Sequence, residues 1–405
     1  MRKDQFILAE GLKVSLNSHE TWLNNNFLVV GASGSGKSRT IVEPNLYYCH
    51  GSYVISDPKG SLYKKFSGYF RLRGYEVYKV NLIHPSDGSR YNPFSFIHTD
   101  RDVYKLASMI NGESDSFSRD PFWDKTAFFL LVAMIHLVFE TREEKDRTIP
   151  VLLDYLRMCT RAESGNHSEM DDFMHLHVKR HPNSDAYKYY QKIQCAAKTY
   201  NCILLTLETK VGIFDEKEVR QFLSGNDVCF TLLGERPCVL FLTCSDTDRS
   251  LDVLAKLFFT QALNELTQYA DSKPDGELPI PVMFMMDDFA TNVVIDDFEN
   301  SIATIRSRNI SAVMMIQAES QLEECYGKTG ARTIISNCDT YVFLGTNDLE
   351  TAESVSIRSD KPIQQILTMS VNDCMVFQKG HPPFFGKKYM GYIKKMEELK
   401  QKVTG

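Results

Sequence analysis

The residues best suited to chemistry form a glycine-rich segment near the amino terminus. Residues 31–38 read Gly-Ala-Ser-Gly-Ser-Gly-Lys-Ser and fit the phosphate-loop pattern Gly-x-x-x-x-Gly-Lys-(Ser/Thr). In such a loop, successive backbone N–H groups point at phosphate oxygens beside a helix N-terminus. Lys37 is expected to neutralise charge on the β- and γ-phosphates, and the Ser38 hydroxyl to hold Mg²⁺. The pattern therefore predicts an ATP and Mg²⁺ site whose contacts come from Gly31, Ser33, Gly34, Ser35, Gly36, Lys37, Ser38 and Arg39.

An apolar run that ends in two carboxylates is the second candidate. Val282–Met286 directly precedes Asp287 and Asp288. Beside a phosphate loop, Asp287 is expected to reach the Mg²⁺ ion and Asp288 to polarise the attacking water. A core strand followed by an exposed acidic turn is the structural alternative, and the phosphate loop upstream makes it the weaker one.

A third segment combines a glutamine with two arginines. The apolar run Ile310–Ile316 leads into Gln317, which is expected at the sheet edge where ligands bind in open α/β sheets. There it can sense or orient a γ-phosphate. Arg306 and Arg308 precede the run on an expected helix end, where one of them can serve as an arginine finger for a neighbouring subunit. The alternative is a solvated helix C-terminus, where arginine is favoured in any case.

A fourth segment, residues 56–60 (Ser-Asp-Pro-Lys-Gly), closes the strand after the phosphate-loop unit. At the carboxyl end of a strand, the carboxylate of Asp57 and the ammonium of Lys59 are expected to lie near the nucleotide. An ordinary Pro-Lys-Gly turn explains the same residues equally well.

These segments lie in two blocks of α/β pattern. Short apolar runs separated by helical stretches, such as residues 297–308, predict a central and mostly parallel sheet that is covered on both faces. Between the blocks, apolar residues recur at helical spacing and predict an inserted all-α domain. The predicted boundaries are 1–120 and 225–385 for the two parts of the nucleotide-binding domain, 121–224 for the insertion and 386–405 for a basic tail.

Composition narrows the possible classes of protein. The 405 residues are 43% hydrophobic and 24% charged, as in a folded globular protein. Residues 127–139 are apolar but too few to span a bilayer, and they include His136, so a buried helix is expected. The first residues lack the apolar core of a signal peptide.

Ten scattered cysteines predict reduced thiols rather than a metal site. A net charge of −6 confines any nucleic-acid contact to local basic loops.

Taken in order, the motifs resemble the TraG/TraD-type coupling proteins of conjugative and type IV secretion systems, in the version common on Gram-positive elements. The resemblance covers about residues 20 to 350. It rests on short segments beginning at Asn25, Glu43, Asp57, Gly74, Tyr91, Asp120, Asp287, Ile302, Gln317, Ser336 and Leu344.

The resemblance implies a RecA-like ATPase with an inserted all-α domain, assembled as a homo-hexameric ring. It implies a motor at the cytoplasmic face of the cell membrane that drives single- or double-stranded DNA with its relaxase, or another secreted protein, toward the subunits of a secretion channel. By position, Lys37, Asp288, Arg306 and Gln317 become the catalytic set, with Arg306 as the finger and Gln317 as the sensor. Ser38 and Asp287 become the metal ligands.

Two features depart from the family pattern. The family usually has Asp-Glu where this chain has Asp287 and Asp288. The side chain of Asp288 is one methylene shorter, and misplacing a base by about 1 Å can cost roughly 100-fold in rate. The family's membrane anchor is also missing, so the chain is either trimmed or a naturally anchorless member. An intracellular DNA pump of the same superfamily and a docking adaptor with little hydrolysis are the alternative functions.

Overall fold

The strands of the described residues form a nine-stranded sheet, whose central strands are mostly apolar, and a separate two-stranded hairpin. The computed structural model describes residues 5–112, 121–161, 167–195, 197–291 and 293–393. The strands are β1 (Gln5–Ala9), β2 (Leu12–Ser15), β3 (Phe27–Val30), β4 (Ser52–Ser56), β5 (Glu76–Asn81), β6 (Cys238–Thr243), β7 (Val282–Met286), β8 (Ile310–Ile316), β9 (Thr340–Phe343), β10 (Asp373–Gln378) and β11 (Phe384–Lys387).

The order of strands across the sheet is β11-β10-β9-β3-β8-β7-β4-β6-β5. The pairings from β9 through β6 are parallel, whereas β10 is antiparallel to both β9 and β11. Every side chain of β3, β6 and β7 is buried, as expected for strands that are covered on both faces. The α/β class with a mostly parallel central sheet is confirmed.

Helices connect the strands and build the rest of the chain. The α-helices are α1 (Ser18–Thr21), α2 (Glu43–Tyr48), α3 (Ser61–Leu72), α4 (Asp100–Asn111), α5 (Phe122–Thr141), α6 (Ile149–Arg157), α7 (Glu169–Arg180), α8 (Asp185–Gln191), α9 (Ala197–Val211), α10 (Lys217–Phe222), α11 (Leu232–Glu235), α12 (Asp252–Asp271), α13 (Phe298–Ser301), α14 (Ser320–Ser336), α15 (Leu349–Ser359) and α16 (Ile363–Leu367).

The chain divides into two compact units. The first comprises Met1–Lys79, Cys229–Arg249 and Ala262–Gly405, and the second comprises Val80–Val228 and Ser250–Gln261. Helices α5 to α10 all fall within the predicted insertion at 121–224, but the second unit is wider than that range. The predicted domain boundaries therefore stay a prediction.

Helix α5 forms the interior of the second unit. Its side chains from Leu130 to Val138 are buried, and it packs against α4, α8 and α9. By length and composition α5 would suffice to cross a membrane. However, 61% of its 18-residue apolar stretch is buried inside the fold. That burial is the arrangement of a core helix.

A buried arginine organises one side of the same unit. The guanidinium of Arg161, with a side chain 1% exposed, lies 2.9 Å from the Asp171 carboxylate. It also stacks on the ring of Tyr200 at 3.7 Å and donates to the carbonyl of Cys195 at 3.0 Å. Asp171 belongs to α7 and Tyr200 to α9, so Arg161 joins these two helices. Separating them would leave a buried charge without its partner, which is strongly unfavourable.

Three predicted segments differ in detail or lie outside the described residues. Residues 297–308 were predicted to be helical, but they contain only α13 and a 3₁₀ turn, Ile305–Arg308. The predicted tail, 386–405, begins inside β11, and Tyr392 is fully buried in the core of the first unit. Residues 394–405 and Asp120 lie outside the described residues.

The hairpin of β1 and β2 is attached to the rest of the first unit through a buried asparagine. The Asn45 side chain accepts from the backbone N–H of Ile7 at 2.8 Å and donates to the carbonyls of Ile7 at 3.0 Å and Ile41 at 2.8 Å. Its amide thus takes the place of a strand neighbour for β1. This gives a physical role to the Glu-Pro-Asn-Leu segment that begins at Glu43.

We predict that Asn45→Ala lowers the free energy of unfolding by roughly 2 to 4 kcal/mol, because the N–H and carbonyl of Ile7 are left buried without partners. Urea denaturation measures the change, and the exposed Asn183→Ala serves as a control that should stay within about 0.5 kcal/mol of the native protein. Equal midpoints for both variants would show that Asn45 does not hold the hairpin.

Candidate functional site

The glycine-rich loop follows β3 directly and is fixed at both flanking strands. The N–H of Gly31 donates to the carbonyl of Ile316 at 3.1 Å, and the N–H of Ala32 donates to the carbonyl of Gly345 at 2.8 Å. A Cβ at Gly31 would lie 2.4 Å from the Ser35 hydroxyl oxygen, so a larger residue would displace the Ser35 side chain. Gly34 and Gly36 have φ values of +76° and +87°, which glycine adopts without strain.

Lys37 crosses the loop and is bonded to backbone oxygens. Its side chain is largely buried, and its ammonium donates to the carbonyl of Gly31 at 2.7 Å and to that of Ala32 at 3.5 Å. Burial lowers the pKa of Lys37, while the nearby carboxylates of Asp287 and Asp288 act in the opposite direction. The ammonium therefore lies in the loop with neutral acceptors that an anion can replace.

Ser38 and Asp287 are in direct contact. The Ser38 hydroxyl donates to the Asp287 carboxylate, whose other oxygen accepts from the Asp288 N–H at 3.2 Å. Burial raises the pKa of the Asp287 carboxyl, and the hydrogen bond from Ser38 partly offsets this. Two hard oxygen donors side by side are of the kind that Mg²⁺ prefers.

Asp288 occupies the turn after β7 in a left-handed conformation, with φ +53°. Aspartate is one of the few residues that adopts this region readily. The structure thus brings Lys37, Ser38, Asp287 and Asp288 together at one sheet edge, as the sequence predicts. Their roles in binding or catalysis stay predictions.

The hydroxyl of Ser35 is unusual within the described part of the chain. Its oxygen is buried in the loop and has no hydrogen-bond partner there. Such a group is costly unless a ligand satisfies it. Together with the Lys37 ammonium and the loop N–H groups, it makes the loop a fitting cradle for an oxygen-rich anion such as a polyphosphate. Ser33 and Arg39 are exposed at the rim of the loop.

Gln317 lies at the carboxyl end of β8, beside the phosphate loop. Its backbone N–H is bonded to the side-chain oxygen of Gln321 at 2.8 Å, and the Gln321 amide reaches the Thr291 hydroxyl at 3.2 Å. Gln321 therefore connects the end of β8 to the turn that carries Asp288. Sequence analysis missed Gln321, although its spacing of four residues from Gln317 was a usable signal.

Arg306 is not part of this cluster. It precedes β8, at the opposite sheet edge, and a seven-residue strand spans roughly 20 Å or more. Its guanidinium donates to the carbonyl of Ser18 at 3.4 Å. Arg308, by contrast, is held by the Asp271 carboxylate through bonds of 2.7 and 3.0 Å. Of the two predicted finger candidates, only Arg306 lacks a carboxylate partner among the described residues.

The Ser-Asp-Pro-Lys-Gly segment forms a helix cap. The buried Asp57 carboxylate accepts from the backbone N–H groups of Leu62 at 2.9 Å and Tyr63 at 2.7 Å, at the start of α3. Lys59 has φ +73° and pairs with the exposed Asp246 at 2.7 Å. The turn is present, and Asp57 and Lys59 also lie close enough to Asp287 and Asp288 to feel their charges, so a role beside the nucleotide stays a prediction.

A cavity of about 740 Å³ adjoins the phosphate loop. Gly34, Gly36 and Arg39 line one side, and Tyr389 and Met390 line another. The C-terminal residues after β11 therefore border the site, although the sequence had given them no function.

The family model of type IV secretory system conjugative DNA transfer matches residues 2–359. The conjugal transfer protein TraG of Escherichia coli is 24% identical over 81% of this chain and 54% of its own length. The protein VirD4 of Agrobacterium fabrum is 25% identical over 91% of this chain and 59% of its own length. The chain thus spans only somewhat more than half the length of these curated relatives.

Solved structures of the bacterial conjugative coupling protein TrwB share the fold. One TrwB structure superposes with a TM-score of 0.69 at 17% identity, covering 92% of this chain and 87% of TrwB. Another, in complex with the non-hydrolysable ATP analogue ADPNP, gives a TM-score of 0.68 at 16% identity, over 92% and 86% of the two chains. A TrwB complex with ADP and Mg²⁺ gives 0.66 at 16% identity, over 91% and 86%. The RecA-like P-loop ATPase fold expected from the sequence is confirmed.

We predict that Asp287→Asn raises the melting temperature of the protein at neutral pH, in the presence of a chelator and without nucleotide. Because the folded-state pKa of Asp287 is raised, the folded state binds its proton more tightly than the unfolded state does. The contribution of this carboxyl to stability is therefore greatest below its unfolded pKa and is lost as the pH rises. The uncharged amide avoids that loss.

The stabilisation should shrink toward about pH 4, where the native carboxyl becomes protonated. Asp246→Asn is the control with the opposite sign, since Lys59 lowers the pKa of that exposed carboxyl. A melting temperature of Asp287→Asn at or below that of the native protein at neutral pH would contradict the burial argument.

Proposed function

The chain belongs to the type IV secretory system conjugative DNA transfer family, and we therefore propose that it is the ATP-hydrolysing motor of a coupling protein. It recruits DNA with its relaxase, or another secreted protein, and drives this cargo toward a type IV secretion channel. The observation that carries the proposal is the contact of Ser38 with Asp287 beside the Lys37 ammonium. Cation, hydroxyl and carboxylate are then positioned for a Mg²⁺–nucleotide complex.

The residues of the loop have distinct tasks in this proposal. The N–H groups and the Ser35 hydroxyl bind phosphate oxygens, and the Lys37 ammonium exchanges its carbonyl partners for the β- and γ-phosphates. Ser38 and Asp287 hold Mg²⁺, which when bound neutralises charge on the phosphates. Asp288 accepts a proton from the attacking water, and Gln317 orients that water or senses the γ-phosphate.

A docking adaptor with little hydrolysis is the second candidate, and the identity of Asp288 favours it. Aspartate extends less far than the glutamate that is usual in the family. If the base does not reach the water, the chain still binds nucleotide and cargo but turns over slowly. Measuring turnover with and without DNA separates a motor, which DNA accelerates, from an adaptor.

Arg306 completes the site only if subunits associate. Its position at the sheet edge opposite to the phosphate loop prevents it from reaching the nucleotide of its own chain. Trp22 is 76% exposed, and its backbone N–H donates to the same Ser18 carbonyl as Arg306 does. An exposed tryptophan beside an arginine without a carboxylate partner supports a subunit interface here. Head-to-tail contact between opposite edges closes into a ring when the rotation between subunits allows it, and we propose such a ring, a homo-hexamer.

The partners and location follow from the same proposal. The motor acts at the cytoplasmic face of the membrane, where a secretion channel opens, and binds DNA and channel subunits there. Because the net charge is −6, contacts with DNA come from local basic side chains rather than from the field of the whole chain.

We predict that Lys37→Ala lowers ATP turnover at least about 100-fold, because the ammonium supplies charge stabilisation in the transition state. Phosphate release by the purified chain, with Mg²⁺ and DNA, measures the effect. Lys64→Ala, which removes an exposed lysine of α3, is the control and should keep native turnover. Native-like hydrolysis by a folded Lys37→Ala protein would exclude this loop as the ATPase site.

We further predict that Arg306→Ala alone lowers turnover by about 10³-fold or more, as loss of an arginine finger does in comparable enzymes. Mixing it with Lys37→Ala subunits should restore hydrolysis to at most about one quarter of the native rate, because that fraction of head-to-tail interfaces pairs an intact loop with an intact arginine. Native specific activity should rise steeply with protein concentration.

Arg308→Ala is the matched control, since Asp271 holds that guanidinium within the chain. It should retain native turnover without any mixing. Activity that stays flat with concentration, together with no recovery in the mixture, would show that each chain hydrolyses alone.

A further inference from the structure

A lysine outside the family match is built into the phosphate loop. Lys388 lies beyond residue 359, where that match ends, and its side chain is largely buried. Its ammonium donates to the carbonyl of Ser35 in the loop at 2.7 Å and to that of Leu344, just after β9, at 3.0 Å. Among the described residues no carboxylate pairs with it.

The bond to Ser35 determines the direction of the next N–H group. In a trans peptide, the carbonyl of one residue and the N–H of the next point to opposite sides of the peptide plane. Because the Ser35 carbonyl points to Lys388, the Gly36 N–H points away from it. Gly36 has φ +87°. Because glycine has no Cβ, the peptide between Ser35 and Gly36 rotates readily, and an external contact is needed to hold it.

The segment that carries Lys388 is anchored on both sides. The N–H of Lys388 donates to the carbonyl of Asn372 at 2.9 Å, and the N–H of Glu10 donates to the carbonyl of Lys387 at 2.8 Å. Four residues on, the fully buried Tyr392 bonds to the Glu43 carboxylate through its hydroxyl. The ammonium of Lys388 is therefore held at the loop by the fold and is not a solvated side chain that touches it by chance.

The electrostatics point to an anionic ligand. Burial lowers the pKa of Lys388, and its acceptors are two neutral carbonyls. The attraction of Asp373, which forms no ion pair with Lys388, opposes this effect only in part, and an anion bound beside the ammonium relieves the rest of the cost of burial. The ammonium of Lys37 in the same loop is likewise bonded to neutral carbonyls, so two cations flank the peptides that are expected to face the phosphates.

We propose that Lys388 is a positioning residue of the nucleotide site, which holds the peptide between Ser35 and Gly36 in its phosphate-binding orientation and adds a second positive charge to the loop. The inference rests on the proposed function and identifies the ligand as the polyphosphate of a nucleoside triphosphate. It also makes the C-terminal segment after β11 part of the ATPase site.

Binding of a fluorescent ATP analogue with Mg²⁺ to the full chain tests the inference. Lys388→Met, which keeps the unbranched shape and all but one atom of the side chain's length, should weaken binding about 10- to 100-fold, since a charge-assisted hydrogen bond and a cation are lost. Lys388→Arg should recover part of the affinity. Lys379→Met removes an exposed lysine next to Asp339 and should bind as the native chain does.

A kinetic measurement distinguishes positioning from general destabilisation. Because Lys388 contacts the loop in the ground state, its loss should raise KM more than it lowers kcat, while the variant remains folded without ligand. If Lys388→Met does not fold, Lys388→Gln, which keeps an N–H donor, is measured with the same expectation.

The outcomes separate the two levels of the argument. Native affinity in Lys388→Met, with binding abolished in Lys37→Ala, would overturn the role of Lys388 and leave the ATPase proposal intact. A native chain that binds no nucleotide would overturn the proposed function, and this inference with it.

Discussion

The contact between the Ser38 hydroxyl and the Asp287 carboxylate joins residues that are 249 positions apart in the sequence. It requires β3 and β7 to end at the same edge of the sheet, although the two strands are not neighbours. Strand β8 lies between them and pairs in parallel with both, aligning Val30 with Ile316 and Met286 with Met314. The sheet order is thus the constraint on which the site depends.

The same contact shows why the site is poised for a ligand. Burial lowers the pKa of Lys37 and raises that of Asp287, so both charges are disfavoured by their surroundings. Neither is fully compensated, since the ammonium is bonded to carbonyls and the carboxylate mainly to a hydroxyl. The hydrophobic strands below supply the stability that allows such a cluster to persist. An incoming anion with its metal ion offsets both desolvation costs.

The sequence predicted the parts of this arrangement that depend on local pattern. The bounds of β3, β7 and β8 agree with the apolar runs, because parallel strands buried on both faces are uniformly apolar. Strand β6 was not singled out, although Cys238–Thr243 is equally apolar, since no chemical motif adjoins it. The position of Lys388 had no local signal at all. A lysine in a lysine-rich segment resembles solvated surface, and only the tertiary packing of Tyr392 and Asn372 shows that it is buried.

Strand β8 also connects two residues of the predicted catalytic set, Gln317 and Arg306. Gln317 follows its last residue, beside the phosphate loop, and Arg306 precedes its first residue, at the opposite edge. The strand is buried on both sides between β3 and β7, so it cannot shift without disturbing their hydrogen bonds. A packed strand of this kind behaves as a rigid connection rather than a hinge. If Arg306 acts on a neighbouring site, β8 therefore fixes the spacing between Gln317 at one nucleotide and the arginine presented to the next.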